Sequence, residues 1–384
     1  MPTVLIAPDK FKGSLSAAQV AQAVAQGVLA VRPDVHVESV PVADGGDGTV
    51  AAALAAGFEH VPVSATGPTG EPVATGFARR ADVAVVEMAD VAGLVRLPGG
   101  RKAPLTASSR GVGEVVAAAI AAGCRRIVLG VGGSASTDGG AGLLVGLGAR
   151  LLDRDGVPVS DGGGCLASIA SVDLAAARHM MDGVHLVLAS DVDNPLTGRD
   201  GAAAVYGPQK GATQEEVREL DAALTHFADV VAATTGSDHR DRAGAGAAGG
   251  TGFAALVLGA EFRPGVELVL DLVGFDEILS RADLVVTGEG SLDEQTLHGK
   301  APAGVAAAAA AAGVPVVAVC GRNQLSADAL HQAGIAAVYA LTDIEPDVAR
   351  CLAEPGPLLA RLGESIVSEH LSGEGRPSHI RARR

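Results

Sequence analysis

At 384 residues the chain has room for two domains of roughly 150–200 residues each, both with full cores. Hydrophobic residues at 48% against 19% charged mark a globular protein, while 2% aromatics and no tryptophan leave few platforms for stacking single-stranded nucleic acid. A formal net charge of -15 argues against the basic face that a phosphate-backbone binder needs, although a single loop can still bind a small anion.

In chain order, an apolar strand at Val4–Ala7 leads into the loop APDKFKGS. Charge arrives by Asp9, too early for a signal peptide. Ser16 and Gln19 have capping-box spacing, and Val20, Val24, Val28 and Val31 continue as one helical face. A strand at Val35–Val40 precedes PVADGGDGT, residues 41–49. Val61–Val86 reads as a hairpin turning at TGPTGEP. Strands at Ile127–Gly130 and Leu186–Ala189 feed GVGGSASTDGG (130–140) and SDVDNPLTGRDGAAAVYGPQKGA (190–212). A strand at Leu284–Thr287 then precedes GEGSLDEQTLHGK (288–300), an alanine helix ending near Gly313, and strands at Val316–Val319 and Ala337–Ala340. Ala301–Cys320 is uncharged, but its glycines and Pro315 divide it into a helix and a strand, so no membrane span is expected. Cys124, Cys165, Cys320 and Cys351 form no CxxC or Cys/His group, and read as buried free thiols of a cytoplasmic protein.

Short apolar strands alternating with alanine-rich helices indicate α/β architecture. The expected arrangement is a discontinuous flavodoxin/Rossmann-like parallel-sheet domain, residues 1–50 plus 276–371. A second α/β domain, 51–275, is inserted into it, and 372–384 form a flexible tail. Flavodoxin-like order places the first strand beside Leu284–Thr287, so the loops after both strands would meet at the topological switch where ligands sit.

Only five of the 29 basic residues are lysines, and Lys10, Lys12, Lys210 and Lys300 lie in short glycine-flanked loops. A compact ammonium suits a point contact to phosphate. Lys12, Gly13 and Ser14 precede a helix N-terminus, where free N–H groups favour an anion. Lys300 repeats that placement, with Pro302 marking the helix start. Glu289 and Asp293 beside Lys300 suggest a hydrated Mg²⁺ next to a nucleotide. Asp44 and Asp47 flank two glycines that let the backbone approach a ligand, and Asp47 joins the candidate metal ligands. Asp191 and Asp193 are candidates for a base or metal ligand, with Asn194 as orienter. Walker A is absent, and GAGAAG (244–249) follows HRDR instead of a strand, so no standard nucleotide fingerprint is complete.

Taken in order, APDKFKGSLSA, PVADGGDGT, GGSASTDGG, DVDNPLTG, GPQKGA, GAGAAGG and GEGSLDEQTLHGKAP resemble the glycerate kinase family of the bacterial two-domain type, over nearly the whole chain. Lys10 stands where that family more often has serine, and Asp47 where it often has glutamate. The resemblance implies ATP-dependent phosphorylation of a D-glycerate hydroxyl, a Mg²⁺ requirement and an active site between two α/β domains. On that expectation Lys12 and Lys300 hold phosphate or carboxylate oxygens, Asp191 is the first choice for base and Asp44 the second. Gly132, Gly133 and Ser134 line the site, with Lys210, Ser14 and Asn194 as further substrate or phosphate contacts. An NAD-linked hydroxy-acid dehydrogenase shares the fold style but lacks a full fingerprint. A non-catalytic bilobal anion binder would not need so many carboxylates. The sequence leaves open which hydroxyl reacts and the oligomeric state, a homodimer included.

Overall fold

The computed structural model describes residues 1–297 and 299–371; His298 and the expected tail at 372–384 lie outside them. The chain divides into two compact units, residues 1–42 with those from 274 onward, and residues 43–273. Along the chain run β1 (Thr3–Pro8) and β2 (His36–Ser39). The second unit holds β3 (Glu59–Thr66), β4 (Pro72–Arg80), β5 (Val83–Glu87), β6 (Arg126–Gly130), β7 (Arg150–Leu152), β8 (Ser171–Asp173), β9 (His185–Ala189) and β10 (Glu261–Arg263). The first unit resumes with β11 (Leu284–Leu292), β12 (Val316–Asn323) and β13 (Ala337–Ala340).

In the first unit β2-β1-β11-β12-β13 form one parallel sheet in the expected flavodoxin-like order, with Pro8 registered on Gly288. β11 runs past Thr287, the expected strand end, to Leu292, so Glu289 is a strand residue and not a loop residue. Gly288 makes the extension possible: a Cβ there would lie 2.1 Å from the Val319 carbonyl oxygen. The capping box forms as the sequence indicates, with Ser16 accepting from the Gln19 N–H and starting the helix Ala17–Val31. Val20, Val24 and Val28 are buried against the sheet, whereas Val31, the last helical residue, lies beyond that core and is exposed. This helix packs on Pro355–His370 through Gly27, where a Cβ would lie 1.8 Å from the Ala360 carbonyl oxygen.

In the second unit the sheet order is β10-β9-β6-β5-β4-β3. Its centre is parallel, while β3 and β4 form the antiparallel hairpin that TGPTGEP turns. Strand alternation sorts the side chains onto two cores. Ala84, Val86, Ile127, Leu129, Leu186 and Leu188 face one, shared with the helices Arg110–Ala121 and Gln214–Thr235. Val85, Val128, Val187 and Ala189 face the other, shared with Val50, Ala53, Leu268 and Leu272 from the helices Thr49–Ala55 and Gly265–Val273. The helix Thr49–Ala55 therefore belongs to this unit, with the glycine loop before it.

Ala301–Ala312 is helical and ends at Gly313 in the left-handed region, φ 71°. No described helix is long and apolar enough to cross a membrane. All four cysteines are free; Cys124, Cys320 and Cys351 are buried as expected, but Cys165 is only half-buried.

One buried carboxylate organises the second unit. Asp138, fully buried, accepts from Ser109 N and Oγ at 2.8 Å each, and from Gly140 N at 3.1 Å and Gly142 N at 3.2 Å. Burial raises its pKa and these donors oppose the rise. Asp138→Ala would strand three backbone donors, each costing about 1–3 kcal/mol. We expect urea denaturation to show a loss of about 3 kcal/mol or more; a loss below about 1 kcal/mol would show the network to be dispensable.

Candidate active site

The first unit gathers two loops at adjoining strand ends. Residues 11–15 close a tight turn, with Phe11 N–H and the Leu15 carbonyl paired and Gly13 at φ 82°. Lys12 stands exposed at its tip, and the Ser14 hydroxyl donates to the Phe11 carbonyl at 3.1 Å. Lys12 N lies near Gly290 of β11, 3.5 Å from where a Cβ would sit. Lys300 is the N-cap residue of Ala301–Ala312. Its Nζ lies 3.7 Å from Glu289 Oε2 and 3.9 Å from Asp293 Oδ1. Buried Thr296 locks this turn, accepting from Asp293 N at 3.0 Å and donating to Glu289 Oε1 at 2.5 Å. Glu289, Asp293 and Lys300 thus come together, whereas Asp47 belongs to the second unit.

In the second unit three glycine loops pack backbone to backbone. A Cβ on Gly45 would lie 2.5 Å from Gly265 Cα, and one on Gly132 would lie 2.6 Å from Gly46 Cα. With no side chains between them, Asp44, Asp191 and the Gly132–Gly133 turn share one surface. Asp44 Oδ1 accepts from Gly46 N at 3.1 Å, and Asp191 Oδ1 accepts from Gly265 N at 3.0 Å. The protein packed around Asp191 raises its pKa, although the residue keeps an exposed face; the Gly265 N–H opposes the rise, and the Asp44 and Glu267 carboxylates add to it. A carboxyl shifted upward beside a second carboxylate is suited to accept a proton.

Two sequence-derived assignments change. Asn194 does not orient Asp191: its Nδ2 donates to the Asp200 carbonyl at 2.8 Å and its Oδ1 accepts from Tyr206 Oη at 2.7 Å. Gly265 N–H holds Asp191 instead. Lys210 does not present its ammonium at the surface. It is 2% exposed, and Nζ donates to Ser134 Oγ at 2.7 Å and to the Ser136 carbonyl. Burial lowers its pKa to about 7 against the attraction of Asp138.

This chain matches the model of the glycerate kinase family over residues 4–371. The chain belongs to the glycerate kinase family. It is 45% identical to a glycerate kinase of Bacillus subtilis, the alignment covering 88% of this chain and 90% of that one. It is 42% identical to a glycerate 2-kinase of Escherichia coli with the same coverage. Its fold is similar to the crystal structure of a protein from Salmonella typhimurium LT2 assigned as glycerate kinase 2, with a TM-score of 0.84 and 39% identity over 96% of this chain and 98% of that one.

Among the described residues no group of three or more His, Cys, Asp or Glu is arranged to hold a metal ion. Glu289 and Asp293 offer two carboxylates, which fits Mg²⁺ that takes one or two from protein and the rest from phosphates and water.

Sequence reasoning missed Glu87, the last residue of β5. It is 2% exposed, and its Oε1 and Oε2 accept from Gly48 N and Val50 N at 3.0 Å each, seating the loop that carries Asp44 and Asp47. The only signal was an acidic residue ending an apolar strand, VAVVE. Burial raises its pKa from 4.5 to about 7, with Asp90 and Asp47 adding to the rise and the two N–H groups opposing it. The folded state thus holds the proton more tightly than the unfolded state. The resulting stability is complete below about pH 4.5 and is lost as pH rises through about 7. We expect Glu87→Gln to flatten the wild-type decline in thermal stability across this window; equal slopes for both proteins would refute the shift.

Proposed function

We propose that this protein is an ATP-dependent glycerate kinase, transferring the γ-phosphate of ATP to a hydroxyl of D-glycerate to give phosphoglycerate and ADP. The observation that carries this reading is the 42–45% identity, over 88% of the chain, to relatives named glycerate kinase or glycerate 2-kinase. Phosphoryl transfer asks a protein chiefly for positioning and charge neutralisation, plus one base for the hydroxyl proton.

Asp191 is the base in this reading, and the raised pKa that packing imposes suits it to take the proton from the attacking hydroxyl. Asp44, whose charge contributes to that rise, is the alternative base. Gly132, Gly133 and Ser134 contact the substrate through backbone N–H groups and one hydroxyl. Lys12 and Lys300 hold phosphoryl or carboxylate oxygens, each from a loop that leads into a helix. Glu289 and Asp293 would hold Mg²⁺ or its waters. When bound, that ion neutralises charge on the phosphates. Asp47 stays a candidate for the same task, and Ser14 for a phosphate contact.

Asp191→Asn removes the proton acceptor and keeps the shape. The expected result is a fall in kcat of about 10²–10⁴-fold, with ATP affinity by titration calorimetry unchanged. Wild-type turnover in the variant would sink the assignment. In the wild type the acidic limb of kcat/KM should lie above the ordinary aspartate range, following the upward shift of Asp191. A coupled ADP-release assay on D-glycerate tests the activity, and ³¹P NMR of the product identifies the hydroxyl that reacts.

A further inference from the structure

A lysine buried to 2% exposure is costly, because its charge must be taken out of water. The turn Pro208–Lys210 delivers Lys210 to the underside of the GGSAS loop. The space above it is closed by backbone: Gly249, at φ 69°, lies so close that a Cβ would sit 2.8 Å from Lys210 Nζ and 2.0 Å from the Ser136 carbonyl oxygen. The carboxylate that favours its charge, Asp138, is itself occupied by Ser109, Gly140 and Gly142. An apolar side chain of similar length would fill this site without that cost, so the ammonium needs a reason beyond packing.

Ser134 supplies one. Its backbone is already strapped in place, since Gly133 O accepts from Leu94 N at 2.9 Å and Ala135 N donates to Ala92 O at 2.9 Å. The loop therefore does not need Lys210 to hold its course. What the ammonium adds is direction. In its protonated form Lys210 only donates, so at 2.7 Å the –NH₃⁺ group occupies a lone pair of Ser134 Oγ and turns the hydroxyl hydrogen away from itself. Among the described residues that hydrogen meets the Ser136 carbonyl alone, at 3.4 Å and already bonded to Lys210.

We propose that Lys210 is a positioning residue for phosphoryl transfer, fixing the Ser134 hydroxyl as a hydrogen-bond donor to an anionic oxygen of the bound hydroxy acid. This rests on the reading above, in which the Gly132–Ser134 turn contacts the substrate. The group it selects is the carboxylate of the hydroxy acid, whose oxygens accept and cannot donate.

The test uses the full-length protein as Lys210→Met, Ser134→Ala and the double variant, with D-glycerate and ATP varied separately. One hydrogen bond to a charged group corresponds to a loss of about 10–100-fold. K210M and S134A should each lower kcat/KM for glycerate by that factor, with KM for ATP within about twofold of wild type. The double variant should be no worse than S134A, because both changes remove one interaction. Losses that multiply in the double variant, a K210M enzyme within twofold of wild type, or equal damage to both substrates would each overturn the proposal. Should K210M fail to fold, S134A decides alone: an unchanged kcat/KM for glycerate refutes the role, and a loss confined to glycerate supports it. Failure of the kinase reading would be seen first, as wild-type protein releasing no ADP with D-glycerate, and would overturn both.

Discussion

Backbone packed directly against backbone is the constraint on which the second unit's chemistry depends. The loops that begin at Asp44, Gly130 and Pro264 approach until Gly45 and Gly265, and Gly46 and Gly132, leave no room for a Cβ. Any side chain at these positions would push the loops apart and separate Asp44 from Asp191. The glycines thus act by what they lack, and the two carboxylates gain their common surface from that contact. The first unit uses the same device at Gly288, to keep β11 paired far enough for Glu289 to stand near Lys300.

Behind the loops lies a set of buried charges that do the holding. Glu87 seats the Asp44–Asp47 loop, Asp138 ties Ser109 to the start of the helix Ala141–Gly146, and Lys210 reaches Ser134 and Ser136. Each sits where water is excluded, so each hydrogen bond is strong and each lost partner expensive. Their pKa values move as burial dictates, carboxyls upward and the ammonium downward. An acidic protein can in this way use anionic side chains to shape its own loops.

Much of this was legible in the residues. The valine face at Val20, Val24 and Val28, the Ser16–Gln19 cap, the TGPTGEP hairpin and the order of the first unit's sheet follow from local spacing and from the rules of parallel α/β folds. The motif order sufficed to name the family, because seven strings in sequence exceed what any one glycine pattern can specify. The glycine-flanked lysines were a weaker guide. The count drew attention to Lys12, Lys210 and Lys300 alike, yet Lys210 points inward.

The sequence by itself determined the main parallel strands, the family and the polar residues grouped near strand ends, since these depend on periodicity and on the linear order of motifs. Only the tertiary structure decided which of those residues face outward and which are spent on the protein. Lys210 is buried, Asn194 is tied to Tyr206, and Glu87 caps a helix 38 residues earlier in the chain at Thr49. The reason is physical. Burial and hydrogen-bond partnership are properties of what packs around a side chain from distant parts of the chain, and local spacing carries no record of it.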